Sequence, residues 1–403
     1  MYATSAIAWQ PELTTPLPID HWLAPNQDTY FFCDLHADAD AFLRSLKLSY
    51  LVTLDSTIDS IQLTTKGMHG QIIIGGDCFD KGPSNLALFK LIRLLKQAHC
   101  DLILLAGNHD IRIYAGLLAI DFMDNPRQAH FFVRMGRKTA SLFAEIYHEY
   151  GQEMTPCSLS DAEIKAALLP PKSWFSAFPE SVKNVLSFKK IQKEIRQIEK
   201  KQNDFIQACF EQGLTLQQIY QAAQMAKRLF IDKDGEFAWF FQNLDLVHVS
   251  GSYCFSHAGL DDRFAEKMRH DSIDTLNQQF RRQMQSGQIF EMYYSEFGNV
   301  FRTKYRDNDW PLTEKGACIL KQNNIFAMVN GHRSHQQGQQ LFVRQGLLNF
   351  ECDTLINTNC RRKSNIQTLG EAVTIFYSDG MVSALSSDFP ATKQFHPKQL
   401  KQH

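Results

Sequence analysis

Five short runs rich in β-branched and aromatic residues each lead into side chains that can ligate a metal. This arrangement restricts the fold more than any other feature. Residues 29–33 precede Asp34 and His36, residues 71–75 precede Asp77, and residues 102–106 precede Asn108 and His109. Residues 252–255 lead to His257, and residues 325–329 to His332. Functional residues at the carboxyl ends of strands are what an α/β sheet uses to build a site. Between the second and third runs, residues 84–97 (SNLALFKLIRLLKQ) have helical periodicity, so this part reads strand–helix–strand.

The residue types point to metal chemistry. Asp34 and His36 lie two apart in an extended segment, so carboxylate and imidazole face the same way. Gly75 and Gly76 allow a tight turn that brings Asp77 to the sheet rim. Any one of these residues alone is weak evidence. Two Asp, one Asn and three His in this order, each after a strand-like run, are specific. Mixed oxygen and nitrogen donors suit Mn, Fe, Zn or Mg. Two such cations about 3.5–4 Å apart can share a carboxylate and a hydroxide.

The remainder of the chain narrows the class. Its 403 residues allow a large α/β domain with an insertion. A net charge of -1 suggests neither nucleic acid nor an anionic membrane as partner. Nine cysteines without a CxxC pair argue against a disulfide framework and a thiolate zinc site. The first residues lack the charge and apolar core of a signal peptide. The expected location is therefore the cytoplasm, with delivery into another cell as an effector as an alternative.

Residues 125–246 differ in character, being rich in Lys, Gln and Glu with no strand-like run. Phe188, Ile191, Ile195, Ile198, Gln202, Phe205 and Cys209 follow a 3-4 spacing. After Gly213, Leu216, Ile219, Ala223, Ala226 and Phe230 repeat it. The expectation is an antiparallel helical hairpin inserted at 125–246 between catalytic segments 1–124 and 247–385, with a polar tail at 386–403. The insertion reads as a packing cap or as an arm that receives a protein partner.

Together these residues resemble the calcineurin-like metallophosphoesterases, and within them the phosphoprotein phosphatase branch and bacterial symmetrical diadenosine tetraphosphatases. GGDCFDKGPSNLALFKLIRLL and LLAGNHD are similar to GDxxDRG and GNH(E/D). CDLHAD resembles GDxHG, FSHAGL resembles HAGL, and LKQNNIFAMVNGHR resembles the family's closing helix–strand–GH segment. The resemblance implies a β-sandwich flanked by helices, in four α/β/β/α layers. It implies one metal held by Asp34, His36 and Asp77, and a second held by Asp77, Asn108, His257 and His332. Manganese is the first expectation, with Fe, Zn or Mg as alternatives. His109 would be the general acid, with Asp80 fixing its tautomer.

Several positions depart from the family pattern. Lys81 stands where the family has Arg, so a bidentate fork becomes a single ammonium. Cys33 and Ala37 replace the glycines of GDxHG. The ending is GHxxH, which sets His335 outside the expected ligand set. Arg306, then Arg302 and Arg112, are candidates to supplement Lys81 in binding phosphate.

The first functional expectation is a phosphomonoesterase acting on phospho-Ser/Thr or phospho-Tyr in proteins through a metal-bridging hydroxide. A second is symmetrical hydrolysis of dinucleoside polyphosphates. A third is a non-catalytic metal-bound interaction module. Turnover of a simple aryl phosphate with Mn separates the first two from the third.

Overall fold

The computed structural model describes residues 5–11, 17 and 19–400. Thirteen strands form two sheets among the described residues. They are β1 (Ala6–Ala8), β2 (Thr29–Phe32), β3 (Gln71–Ile74), β4 (Asp101–Leu105), β5 (Leu244–Asp245), β6 (Val247–Ser250) and β7 (Tyr253–Ser256). Then come β8 (Ala327–Asn330), β9 (Gln340–Arg344), β10 (Leu347–Glu351), β11 (Ala372–Phe376), β12 (Val382–Ser386) and β13 (Thr392–Phe395). The larger sheet runs β1-β13-β12-β11-β2-β3-β4-β5, and the smaller runs β6-β7-β8-β10-β9. β2 to β5 are parallel, as are β7, β8 and β10.

The period-two alternation of β2 and β3 divides their side chains between two cores. Phe31 and Ile73 point between the sheets, where they meet Tyr253, Phe255, Val329 and Phe350. The Phe31 and Phe255 ring centroids lie 5.7 Å apart across this layer. Tyr30, Phe32, Ile72 and Ile74 point outward, joining Phe42, Leu46, Leu91 and Ile92 of the helices Ala39–Leu48 and Asn85–Gln97. On the far side of the smaller sheet, Cys254 and Met328 join the apolar cluster that includes Phe264 and Leu320 of the helices Asp262–Lys267 and Glu314–Gln322. The expected four layers are present. The five ligand-bearing strands β2, β3, β4, β7 and β8 all end on one rim.

The insertion is helical but more than a hairpin. Helices Phe188–Glu211 and Leu216–Phe230 flank Gly213, which takes a φ of 82°. Leu216–Phe230 lies chiefly against a third helix, Ala140–Tyr150, and Phe188–Glu211 against that helix, Phe131–Arg134 and Arg137–Thr139, while the two meet each other little. Phe132 and Phe143 both contact Phe205. Phe230, Phe240 and Phe241 reach into the catalytic segment and surround Phe79, with Phe241 stacked on it at 5.7 Å. The expected boundary at 246 is too late, because β5 already pairs with β4. Two residues are too short a strand to leave a pattern.

The tail expectation needs a larger correction. Within 386–403, Thr392–Phe395 form β13, which sits between β12 and β1. Its apolar content, Phe395 alone, is too sparse to show from sequence. Lys393, a residue that reads as solvated, is buried with Nζ donating to the carbonyls of Gln337 and Gln339. Residues 401–403 lie outside the described residues. No helix among the described residues is long and apolar enough to cross a membrane.

Candidate active site

The rim loops are tied to one another before any ligand is considered. Asp34 N donates to the carbonyl of Gly76 at 3.0 Å, and His36 N to that of Asp77 at 2.8 Å. His332 N donates to Asp34 Oδ2 at 2.8 Å, joining the two sheets' loops. Gly331 is required there, because a Cβ would collide with that same carboxylate oxygen. The backbone is held in the left-handed region at Asp34 (φ 53°), His36 (φ 45°), Asp77 (φ 57°) and His332 (φ 67°), so a tight loop and not the expected extended segment brings Asp34 and His36 together. Non-glycine residues rarely adopt this conformation, and each such residue costs about 1–3 kcal/mol.

Two donor clusters result. Asp34, His36 and Asp77 offer ligand atoms within 4.8 Å of one another, and so do Asp77, His257 and His332. Asp77 belongs to both. His36 Nδ1 donates to the Phe79 carbonyl at 3.2 Å, and His257 Nδ1 to that of Gly75 at 2.8 Å. Each bond fixes the ring as backbone partners of metal-ligating imidazoles do, leaving the Nε2 lone pair of His257 toward the cluster and that of His36 toward Lys81 Nζ at 2.6 Å. His257 Nε2 lies 3.2 Å from His332 Nδ1 and 3.4 Å from Asp77 Oδ1. The Asn108 carboxamide completes this group. Turned one way, its NH2 donates to His332 Nδ1 at 2.9 Å. Turned the other way, its oxygen faces His257 Nε2 at 3.4 Å as one more acceptor.

Electrostatics acts unevenly on these donors: burial, then the Asp353 and Asp77 charges, raise Asp34 well above its usual range. Burial alone would raise Asp77, but His257, His109, His36 and Lys81 outweigh it and hold the carboxyl well below its usual range. Burial holds His36 well below its ordinary value, with Lys81 next in effect, and takes His332 down to about 2. An ionised Asp77 beside neutral His36 and His332 is the protonation state that divalent cations need at those three donors. The buried Nε2 of His332 has no hydrogen-bond partner among the described residues. Through Asp77, its shared carboxylate, and with Asn108 beside His257 and His332, the six expected ligands meet in one donor set of the kind divalent cations take.

His109 opens the helix Asn108–Ala119, and its N–H donates to Asp77 Oδ1 at 2.7 Å. Its Nδ1 lies 2.8 Å from Asp80 Oδ2, in a dyad that is almost wholly buried. Burial is the largest influence on this imidazole and lowers its pKa, against the upward pull of Asp77 and Asp80.

The cation candidates are dispersed. Lys81 Nζ lies 2.6 Å from His36 Nε2, directly on the cluster. Arg112 Nη2 is 3.2 Å from the Asn108 amide in its first orientation. Arg302 lies over the Tyr293 ring at 4.5 Å. Arg306 is exposed, and its backbone N–H and carbonyl both bond to Asp309. His335 is held by Glu351 at 2.8 Å, apart from the donor set. Cys33 and Cys78 are buried, which raises both thiols well above their usual range and leaves them unreactive.

Sequence reasoning missed the residues that hold this machinery in place. Asp110 accepts from the backbone N–H groups of Asp77, Cys78, Phe79 and Gly107. Its position three residues after the helix N-cap was the available signal. Thr139, from the insertion, has its hydroxyl 3.4 Å from Asp80 Oδ1. Glu145, also from the insertion, accepts from Ser84, Asn85 and Leu86, and Asn85 Oδ1 accepts from Asp80 N. No sequence signal connects either residue to Asp80.

No family profile and no curated protein matches this sequence. Among solved structures, it is similar to a cold-active protein-tyrosine phosphatase of a psychrophilic Shewanella species. Identity is 13%, coverage is 95% of this chain and 86% of that one, and the TM-score is 0.47. A point mutant of a cold-active protein tyrosine phosphatase is 12% identical over 96% and 86% of the two chains, with a TM-score of 0.49. A protein serine/threonine phosphatase from Saccharomyces cerevisiae is 11% identical over 94% and 82%, with a TM-score of 0.35.

Proposed function

We propose that this chain is a two-metal phosphomonoesterase whose substrate is a phosphorylated protein. The observation that carries the reading is Asp77, shared by two donor clusters and bonded to the backbone of an imidazole that has its own carboxylate partner. Asp34, His36 and Asp77 would hold one cation, and Asp77, Asn108, His257 and His332 the other, with Mn the first choice. When bound, such a pair lowers the pKa of water and neutralises charge on phosphoryl oxygens.

The chain's own groups supply the rest. Asp80 accepts the Nδ1 proton of His109, which fixes the ring and leaves Nε2 to carry a proton toward the leaving oxygen. Burial keeps the resting imidazole neutral. A substrate dianion raises its proton affinity on arrival, so Nε2 takes up a proton from solvent and then gives it to the leaving oxygen, returning the ring to its neutral form. Lys81 donates as a point charge to a phosphoryl oxygen beside His36.

Metal-reconstituted enzyme tests this reading. It is expected to hydrolyse p-nitrophenyl phosphate with Mn and to lose that activity on chelation. Absence of turnover with any of Mn, Fe, Zn and Mg would overturn it. A panel of phospho-Ser/Thr peptides, phospho-Tyr peptides and diadenosine tetraphosphate then assigns the substrate. A clear preference for the dinucleotide would replace the protein substrate with the hydrolase alternative.

A further inference from the structure

A basic group extends from the ligand cluster onto the insertion. Arg112 adjoins Asn108. Beyond it, Arg134 and Arg302 lie over the same tyrosine, Tyr293, at 4.6 and 4.5 Å. Arg134 also donates to the hydroxyls of Tyr294 at 2.8 Å and Tyr293 at 3.4 Å. Lys201, on the insertion's longest helix, donates to the Arg134 carbonyl at 3.2 Å. Lys138 is exposed on the short helix Arg137–Thr139, whose Thr139 touches Asp80.

Two carboxylates adjoin these five cations. Glu194 is 3.1 Å from Arg134 and also acts on Lys201, while Asp80, already paired with His109, acts on Lys138. Among the described residues, Arg112, Lys138, Lys201 and Arg302 form no ion pair. Partly buried like charges repel, and a cleft lined with one sign of charge concentrates the opposite ion.

We propose that this group holds a second anion of the substrate, a phosphate or carboxylate carried beside the scissile phosphate. The inference rests on the phosphomonoesterase reading and deepens it. Lys81 already stands at the ligand cluster, whereas the polar and stacking contacts of Arg134 and Arg302 are with Tyr293, Tyr294, Phe131 and Glu194. Guanidinium forks match planar carboxylate and phosphate edges. The local field agrees. Burial would raise the Tyr293 phenol, yet Arg134, Arg302 and Arg112 bring it down to about 8. Burial and then Arg134 and Arg112 bring the Lys201 ammonium down to about 8. A field that favours a buried phenolate also favours a bound anion.

The first test uses the full chain stripped of metal, titrated calorimetrically with inorganic pyrophosphate and with inorganic phosphate. Tighter binding of pyrophosphate is expected, with a loss of at least tenfold in Lys201→Gln/Arg302→Gln. Equal binding of the two anions by the unmodified protein would overturn the proposal, and this measurement needs no variant to fold. The second test uses Mn-loaded enzyme and reads the ratio of kcat/KM for Asp-flanked over Ala-flanked phosphoserine peptides. A parallel arm reads ATP over p-nitrophenyl phosphate. A ratio well above one in the unmodified protein that falls toward one in the variant assigns the anion to a peptide in the first arm or a nucleotide in the second. Ratios unchanged by the variant in both arms would overturn it. Failure to hydrolyse p-nitrophenyl phosphate, with pyrophosphate binding intact, would overturn the phosphatase reading and leave the anion site standing.

Discussion

Between residues 125 and 243, left-handed backbone occurs at Gly136 and Gly213, where glycine carries it at little cost. In the rim loops it occurs at Asp34, His36, Ala37, Asp77, Asp80, Lys81 and His332. Much of the insertion follows local rules: Ser160, Ser187 and Thr215 cap three of its helices, and apolar stripes match the helical period, although Pro179 lies inside the helix Trp174–Val182. The rim loops break those rules at the residues that carry chemistry. Strain there persists only because the surroundings over-determine it. Part of that constraint comes from the insertion, since Phe230, Phe240 and Phe241 clasp Phe79, between Cys78 and Asp80. The unstrained region thus helps to hold the strained one.

Substitutions can break this comparison. The largest effect is expected for Asp77→Asn, which removes the carboxylate common to both clusters. Turnover should fall by about a thousandfold or more, with metal content reduced at both sites by elemental analysis. Near-normal activity would show that the clusters work independently. His109→Asn should slow alkyl phosphates by about a hundredfold to ten-thousandfold and aryl phosphates far less. Equal losses on the two substrates would argue against proton delivery.

Asp110→Asn tests the constraint itself. Trading two acceptor oxygens for one, against four backbone donors, should lower stability by about 1–3 kcal/mol in denaturant unfolding. A smaller change is expected from the insertion. Thr139→Val should reduce kcat by about threefold to fivefold, the scale of one hydrogen bond, with unfolding midpoint and KM little altered. No change in kcat would mean that the insertion holds the loop by packing alone.

The mildest prediction concerns pH. Below about 7 the Tyr293 phenol is neutral and Lys201 is charged. As pH rises through about 8, the phenol ionises and the ammonium loses its proton. Both changes remove positive charge, so preference for Asp-flanked over Ala-flanked phosphopeptides should decline between pH 7 and 9. A preference that rises over this interval would contradict the assignment.

Much of the donor set was legible because metal-binding residues obey a short-range grammar. Asp34 with His36, Asp77 after two glycines, and Asn108 with His109 each follow their strand within a few residues. The insertion was legible as helices, since the 3-4 spacing around Phe205 needs no knowledge of its partner. Its packing was not, because nothing in that spacing names the Ala140–Tyr150 helix as the surface it covers. β13 escaped notice because its backbone pairs between two strands with little apolar side-chain pattern. Desolvation of His109 escaped for a similar reason: burial belongs to the surroundings rather than to the residue.

Sequence alone determined which residue types end which strands, and with them the oxygen and nitrogen donors available to a metal. Strand periodicity and turn-forming glycines are local, so their signal survives in one dimension. Tertiary structure decided that Asp77 is shared, that Thr139 and Glu145 reach the Asp80 loop, and that Arg134 and Arg302 meet on one tyrosine. Those outcomes depend on groups from distant parts of the chain, such as Asp77 with His332 and Arg134 with Arg302. Distance, burial and field arise only when the chain closes, and no local pattern encodes them.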